Sequence, residues 1–364
     1  MIRVAFDHRI FVHQVYGGVS RYFCSTIPLL GDHGVRTRVI APLYLTAQLQ
    51  TLDRSLVQGR RVEAGRIRAK LALGLGEALH RPLAAAWKAD IVHETYYGLH
   101  RRAPRSARVV LTVYDMIHEL FPDQFANDAV IRAKAAAVRR ADRILCISES
   151  TRCDLLRFHP EAADRATVTL LGFDLPASPA SPNPGAASTR PYVLYVGPRR
   201  GYKNFVGLLE AVAGSPAMKR AFDIVCVGGG DLAREENARI AELDLTDRVR
   251  QVEADDAALA SWYQNAALFA YPSLYEGFGI PPLEAMAQDC PVVTMRSSSI
   301  PEICGDAAEY AEPNEDGSLR HALERVAFDS ARRLALRAAG RDNLARFSWE
   351  RTARETAQAY RELI

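Results

Sequence analysis

Two carboxylates eight positions apart, Glu276 and Glu284, bracket the run Glu276-Gly277-Phe278-Gly279-Ile280-Pro281-Pro282-Leu283-Glu284. The run follows a strand-like apolar segment, Leu268–Tyr271, and its two prolines stand where a helix should begin. Unpaired N–H groups at such a helix start, with the loop amides of Phe278, Gly279 and Ile280, would form a positive pocket for an anion. A carboxylate is a poor phosphate ligand and a good acceptor for hydroxyl donors. Glu276 and Glu284 therefore point to a sugar or ribose beside the anion. Read alone, the same string is a turn and a helix carrying ordinary surface acids.

A second group is cationic. After the strand-like Tyr192–Val196 come Gly197-Pro198-Arg199-Arg200-Gly201-Tyr202-Lys203, with three cations in a short loop before a helical pattern. Cations placed there can neutralise charge growing on a departing diphosphate. Arg199 and Lys203 are the expected pair, with Arg200 as the alternative to Arg199. In the first half, Gly17-Gly18 sits in a loop before a helix, where missing side chains let backbone approach a ligand. The stretch Tyr114-Asp115-Met116-Ile117-His118 follows the strand-like Val109–Val113 and offers Asp115 and His118 as further candidates. Gly228-Gly229-Gly230 follows another strand. It lacks both the Gly-x-Gly-x-x-Gly spacing and the later acid of a nicotinamide site. No Asp-x-Asp occurs in the chain, which favours Lys and Arg over a metal as the leaving-group clamp.

The elements that must hold these loops alternate between strand and helix. Strands are expected at Ile2–Phe6, Thr37–Ala41, Ile91–His93, Val109–Val113 and Arg143–Ile147, then at Tyr192–Val196, Asp223–Val227, Val249–Val252, Leu268–Tyr271 and Pro291–Thr294. Helical periodicity fills the gaps, as in Ala129–Arg140, and the pattern predicts parallel sheets covered on both faces. Five prolines between Pro176 and Pro191 mark an interdomain linker. The expected organisation is an α/β chain with a first domain over 1–172, a linker over 173–191 and a second domain over 192–347. The tail, 348–364, reads as a helix with Ser348 as its N-cap.

At this point the sequence resembles family 4 of the retaining glycosyltransferases, which have the GT-B fold of two Rossmann-like domains facing across a cleft. The likeness rests on "EGFGIPPLE", "YVLYVGPRRGYKNFVGLLEAV", the Gly17-Gly18 loop, the Asp115 region and the "FSWERTARE" tail. It implies that Glu276 contacts donor-sugar hydroxyls, that Glu284 holds the ribose, and that Arg199 and Lys203 bind the diphosphate beside Gly197. It also implies that the Gly17-Gly18 loop closes over diphosphate and acceptor, and that the tail helix packs on the first domain. Many members place a His-Asp pair where this chain has Tyr114-Asp115, so Tyr114 or His118 could lie nearest the reacting carbon. "FDHRIFVHQVYGGVSRYF" looks most like bacterial mannosyltransferase-type members that build surface polysaccharides. That favours GDP-mannose as co-substrate, with rhamnose, glucose or galactose donors as alternatives. No other cofactor and no metal is implied. The acceptor would be a glycan or a polyprenyl-diphosphate-linked oligosaccharide. A non-catalytic GT-B binding module and a phosphorylase or epimerase on the same fold are the rival readings.

Composition sets the remaining bounds. A net charge of +3 gives no reason to expect nucleic acid, and no apolar run approaches the roughly 20 residues of a membrane span. Six scattered cysteines without a Cys-x-x-Cys pair fit a reducing cytoplasm, and the start of the chain reads as a strand and not as a secretory signal. Charge is uneven, with eight Lys/Arg against two acids, Glu63 and Glu77, between Arg54 and Lys88. That segment is expected to be a solvated basic helix with its leucines on the core, or else a surface meeting anionic lipid at the inner face of the membrane.

Overall fold

The structure is a computed structural model and describes residues 1–125, 129–174 and 190–364. The expected linker, 173–191, falls mostly outside them. The chain divides into two compact units, Met1–Gly172 with Ser348–Ile364, and Phe173–Phe347.

The first unit is built on seven strands: β1 Ile2–Phe6, β2 Val35–Tyr44, β3 Val57–Arg61, β4 Ile91–Glu94, β5 Arg108–Val113, β6 Arg143–Cys146 and β7 Ala166–Val168. They lie in the order β3-β2-β1-β4-β5-β6-β7, and every pair is parallel. The central strands are buried almost throughout, as in a parallel sheet with helices on both faces. Strand order reverses between β1 and β4, so the loops leaving their carboxyl ends are the place for a ligand. The tail helix Trp349–Arg361 belongs to this unit. Ser348 caps it by accepting from the Arg351 amide, and buried Tyr360 places its hydroxyl 2.6 Å from Nδ1 of His93.

The second unit repeats the plan with β8 Tyr192–Val196, β9 Asp223–Val227, β10 Val249–Val252, β11 Leu268–Tyr271, β12 Val292–Met295 and β13 Ala308–Ala311. These run parallel in the order β10-β9-β8-β11-β12-β13, with the reversal between β8 and β11. Phe205, Leu208, Leu209 and Val212 of one helix pack with Val193, Ile224, Val293 and Leu323 into its core.

The segment Arg54–Lys88 differs from expectation. Its first part forms edge strand β3, and its helix, Arg66–Ala86, buries Ala72, Gly76, His80 and Ala84 instead of leucines. Small residues let the helix lie close to the chain beneath it: a Cβ on Gly76 would fall 2.1 Å from the His8 ring. Leu71, Leu75 and Leu79 are consequently left at the surface.

Among the described residues, no helix is long and apolar enough to cross a membrane.

Candidate functional site

In the second unit the two strands at the reversal each deliver one charged side chain to the same point. β8 is followed by Gly197, whose φ of +111° suits glycine alone, and a single turn at Gly201–Lys203 leads to Asn204. Asn204 starts the next helix in the left-handed region, and its Nδ2 donates to the Pro272 carbonyl at 3.2 Å. β11 leads into Pro272–Phe278, and the Leu274 amide donates to the Tyr202 carbonyl at 2.8 Å. These bonds tie the two loops together. The result is a 2.6 Å ion pair between Lys203 Nζ and Glu276 Oε1, with side chains 18% and 10% exposed. Lys203 also lies 5.8 Å from the centre of the Tyr271 ring. Burial first, then the Glu276 charge, push the Tyr271 hydroxyl well above its usual range, so it stays a neutral donor.

Sequence reasoning missed the clamp on the Glu276 loop. Ser297, Ser298 and Ser299 follow β12. The Glu276 amide donates to Ser298 Oγ at 2.8 Å, and Ser299 Oγ lies 2.9 and 2.8 Å from the carbonyls of Glu276 and Phe278, which share its one proton. Ser297 Oγ donates to the Ser273 carbonyl at 3.0 Å. Three serines at the carboxyl end of a predicted strand were the available signal.

The expected helix start is present. Gly279, at φ +110°, precedes the helix Ile280–Ala287, and the two prolines fall in its first turn. They remove two donors, so of the four N–H positions that a helix start leaves without an intrahelical partner only those of Gly279 and Ile280 carry a hydrogen. Phe278 is buried and packs edge-on against Phe347 at 5.8 Å. Glu284 lies one turn along the helix and accepts from Tyr263 Oη at 3.2 Å.

Arg199 is seated differently from a phosphate clamp. Its Nε donates to Glu236 Oε1 at 3.1 Å, Nη1 to the Gly228 carbonyl at 2.8 Å, and Nη2 to the carbonyls of Gly230 and Asp231 at 2.7 and 2.9 Å. Four of its five N–H groups are committed, and its side chain is 2% exposed. Gly228, Gly229 and Gly230 all have φ between +73° and +79°, and a Cβ on Gly229 would fall 2.8 Å from the Gly197 carbonyl. Arg199 thus latches a left-handed glycine turn against the β8 loop. Arg200, next in the chain, is exposed.

In the first unit, Gly17 and Gly18 start the helix Gly18–Leu29. Gln14 Oε1 accepts from the Ser20 amide at 3.2 Å, and a Cβ on Gly17 would meet that oxygen at 2.5 Å. The β1 loop is anchored from inside: Asp7 Oδ1 accepts from the amides of Thr95 and Arg9, while Arg9 pairs with Glu77. Asp115 accepts from the Ile117 amide at 3.1 Å and lies 3.8 Å from Nζ of Lys134, a fully buried lysine that also pairs with Glu119. His118 sits on the short helix Ile117–Leu120 with its ring 4.5 Å from that of Phe125. Tyr114 is buried and donates to the Thr95 carbonyl at 2.7 Å, so its hydroxyl is used within the unit. His13 and Tyr96, neither of them anticipated, bring their rings within 5.3 Å at the same strand ends.

Comparison with known proteins decides the family. Residues 16–176 match the model of Glycosyltransferase Family 4, and residues 179–343 match that of Glycosyl transferases group 1. An O-antigen chain mannosyltransferase B from Escherichia coli is 31% identical over 302 residues, covering 78% of this chain and 79% of that protein. The chain belongs to the family 4 glycosyltransferases. A second relative, the O-antigen chain mannosyltransferase RfbU of Salmonella typhimurium, is 24% identical over 230 residues, 62% of this chain and 63% of its own length. Anabaena Alr3699/HepE, solved in complex with UDP-glucose, superposes with a TM-score of 0.73 at 17% identity, over 100% of both chains. With two Rossmann-like parallel sheets of seven and six strands, this likeness gives the glycosyltransferase the GT-B fold.

Proposed function

We propose that this glycosyltransferase is a cytoplasmic, retaining, metal-independent enzyme that moves mannose from GDP-mannose to a glycan or polyprenyl-diphosphate-linked oligosaccharide in surface polysaccharide synthesis. The observation that carries the reading is the Lys203–Glu276 pair at the β8/β11 reversal. In the resting protein each group neutralises the other. An incoming diphosphate brings more negative charge than one carboxylate and draws the ammonium away. Glu276 is then free to accept hydroxyls of the sugar, and Lys203 stays with the charge that grows as the glycosidic bond breaks. The amides of Gly279 and Ile280 and the exposed Arg200 complete the anion site, with Gly197 and the glycine turn behind Arg199 allowing close approach. Glu284, within the same helix, is assigned to the ribose. Gly17, Gly18, Asp115 and His118 are assigned to the acceptor side.

In the proposed reaction the acceptor hydroxyl attacks the anomeric carbon from the face that the nucleoside diphosphate leaves. Its proton passes to the departing phosphate oxygen, so no protein nucleophile is required. The names of the two O-antigen relatives support mannose. The cations of the β8 loop support a clamp that works without metal.

The test is a panel of nucleotide sugars with a glycan acceptor, run with and without excess EDTA, and the product anomer read by NMR. An α-linked mannose product from GDP-mannose that survives EDTA is expected. An inverted linkage, or activity abolished by EDTA, would overturn the mechanism.

A further inference from the structure

The helix Arg66–Ala86 presents an apolar ridge to solvent. Ile67, Leu71, Leu75 and Leu79, spaced by four, are 84%, 61%, 36% and 38% exposed. Four-residue spacing puts them on one face, about 18 Å long at 1.5 Å per residue. Gly74, Ala78, Pro82 and Ala85 are exposed with them, and Arg68, near the start of the helix and paired with Glu63, is the charged side chain that shares their side. The opposite face, Ala72, Gly76, His80 and Ala84, is the one packed on the unit. Leu99, also well exposed, lies near Arg102, which pairs with Glu77 of this helix.

Charge on the shoulders is of one sign. Arg66, Lys70 and Arg81 are exposed beside the strip, and Arg60 and Arg61 of β3 are exposed as well. The helix has one acid, Glu77, which turns inward to Arg9 and Arg102, while Glu63 ahead of the helix is paired with Arg68. A soluble partner protein would need a complementary acidic rim around an apolar groove. A bilayer with anionic headgroups offers apolar depth and negative charge at one surface, without a matching shape.

We propose that the helix Arg66–Ala86 lies in the plane of an anionic membrane, with Ile67, Leu71, Leu75 and Leu79 among the acyl chains and Arg66, Lys70 and Arg81 at the headgroups. This deepens the reading of a lipid-linked acceptor by naming the surface that meets the lipid. Its geometry does not depend on that reading.

The test is flotation of the full chain with phosphatidylcholine vesicles, with or without phosphatidylglycerol, at low and high salt. Wild type should float with the anionic vesicles at low salt and be partly released as salt rises. Ile67→Gln with Leu71→Gln should weaken binding by more than about tenfold at either salt, and Lys70→Gln with Arg81→Gln by about tenfold at low salt only. Both doubles should keep wild-type turnover on a soluble acceptor, because they change exposed residues outside the donor site. Absence of flotation at low salt would overturn the proposal. So would equal flotation of the Ile67→Gln/Leu71→Gln double, or a dimer broken by that double in a protein that binds no vesicles. Flotation is read without catalysis, so a wrong donor or acceptor cannot imitate any of these outcomes.

Discussion

Replacing Arg199 by methionine separates a latch from a ligand. The guanidinium is held by Glu236 and by three carbonyls of the glycine turn. Methionine keeps most of the bulk and leaves the Glu236 carboxylate, itself only 14% exposed, without its cation. Breaking one side of a buried pair costs about 3–5 kcal/mol. Gly229 and Gly230 are exposed, so water can reach part of the turn and the lower end, about 3 kcal/mol, applies. At a urea dependence of about 2 kcal/mol per molar, the unfolding midpoint of the second unit should fall by about 1.5 M. Lysine, with one donor centre in place of a fork, should recover less than half of that. Arg200→Ala should leave the midpoint unchanged and raise the donor KM by about tenfold, since that side chain is exposed. If Arg199→Met unfolds within about 0.3 M of wild type, yet loses transfer, Arg199 is a phosphate ligand and the latch argument fails.

Lys203→Ala should lower turnover at least about a hundredfold, ~2.7 kcal/mol of barrier, and adding back an alkylamine should restore part of it; turnover within tenfold of wild type would remove Lys203 from the charge-stabilising role. Gly279→Ala should destabilise the second unit by about 1–3 kcal/mol, because alanine is strained at φ +110° and its Cβ would sit 2.7 Å from Ile300 Cδ1; an unchanged melting temperature would contradict this. Stability should be level between about pH 6.5 and 8 and fall as pH drops below that window. Burial pushes His8 down to about 4 and His93 to about 3, and lowers His80 too, so the unfolded chain takes up protons that the folded chain refuses. Burial raises the Glu94 carboxyl and works in the opposite sense at the acid end, so the loss should be clearest between pH 6.5 and 5, and urea midpoints that stay flat there would refute the assignment.

The central strands were legible because they are short, apolar and bounded by turns: Tyr192–Val196, Asp223–Val227 and Leu268–Tyr271 occur where alternation of strand and helix puts them. Three of the four edge strands, Val57–Arg61, Ala166–Val168 and Ala308–Ala311, were not. Edge strands face solvent along one side and carry residues such as Gln58, Arg60 and Arg61, which no apolar pattern reveals. Lys203 and Glu276 were each singled out from sequence because each follows an apolar strand-like run, but their direct pairing was not, since it depends on the strand order that sets β8 beside β11. Lys134 and Ser297–Ser299 were not singled out, since their contacts join distant elements by side chains that are usually surface residues. The outward leucines of Arg66–Ala86 were misread for a related reason. Periodicity identifies a helix with two faces but not which face packs, and here close approach selected alanine and glycine for the inside.

The central claim, that Lys203 and Glu276 form the donor site, is tested most directly by calorimetric binding of GDP and GDP-mannose to wild type, Lys203→Met and Glu276→Gln. Lys203→Met should lose affinity for both ligands alike, by about tenfold or more, because both carry the diphosphate. Glu276→Gln should bind GDP at least as well as wild type and lose the added affinity for the sugar. Undiminished binding of GDP by Lys203→Met, or equal binding of GDP-mannose by Glu276→Gln and wild type, would contradict the account.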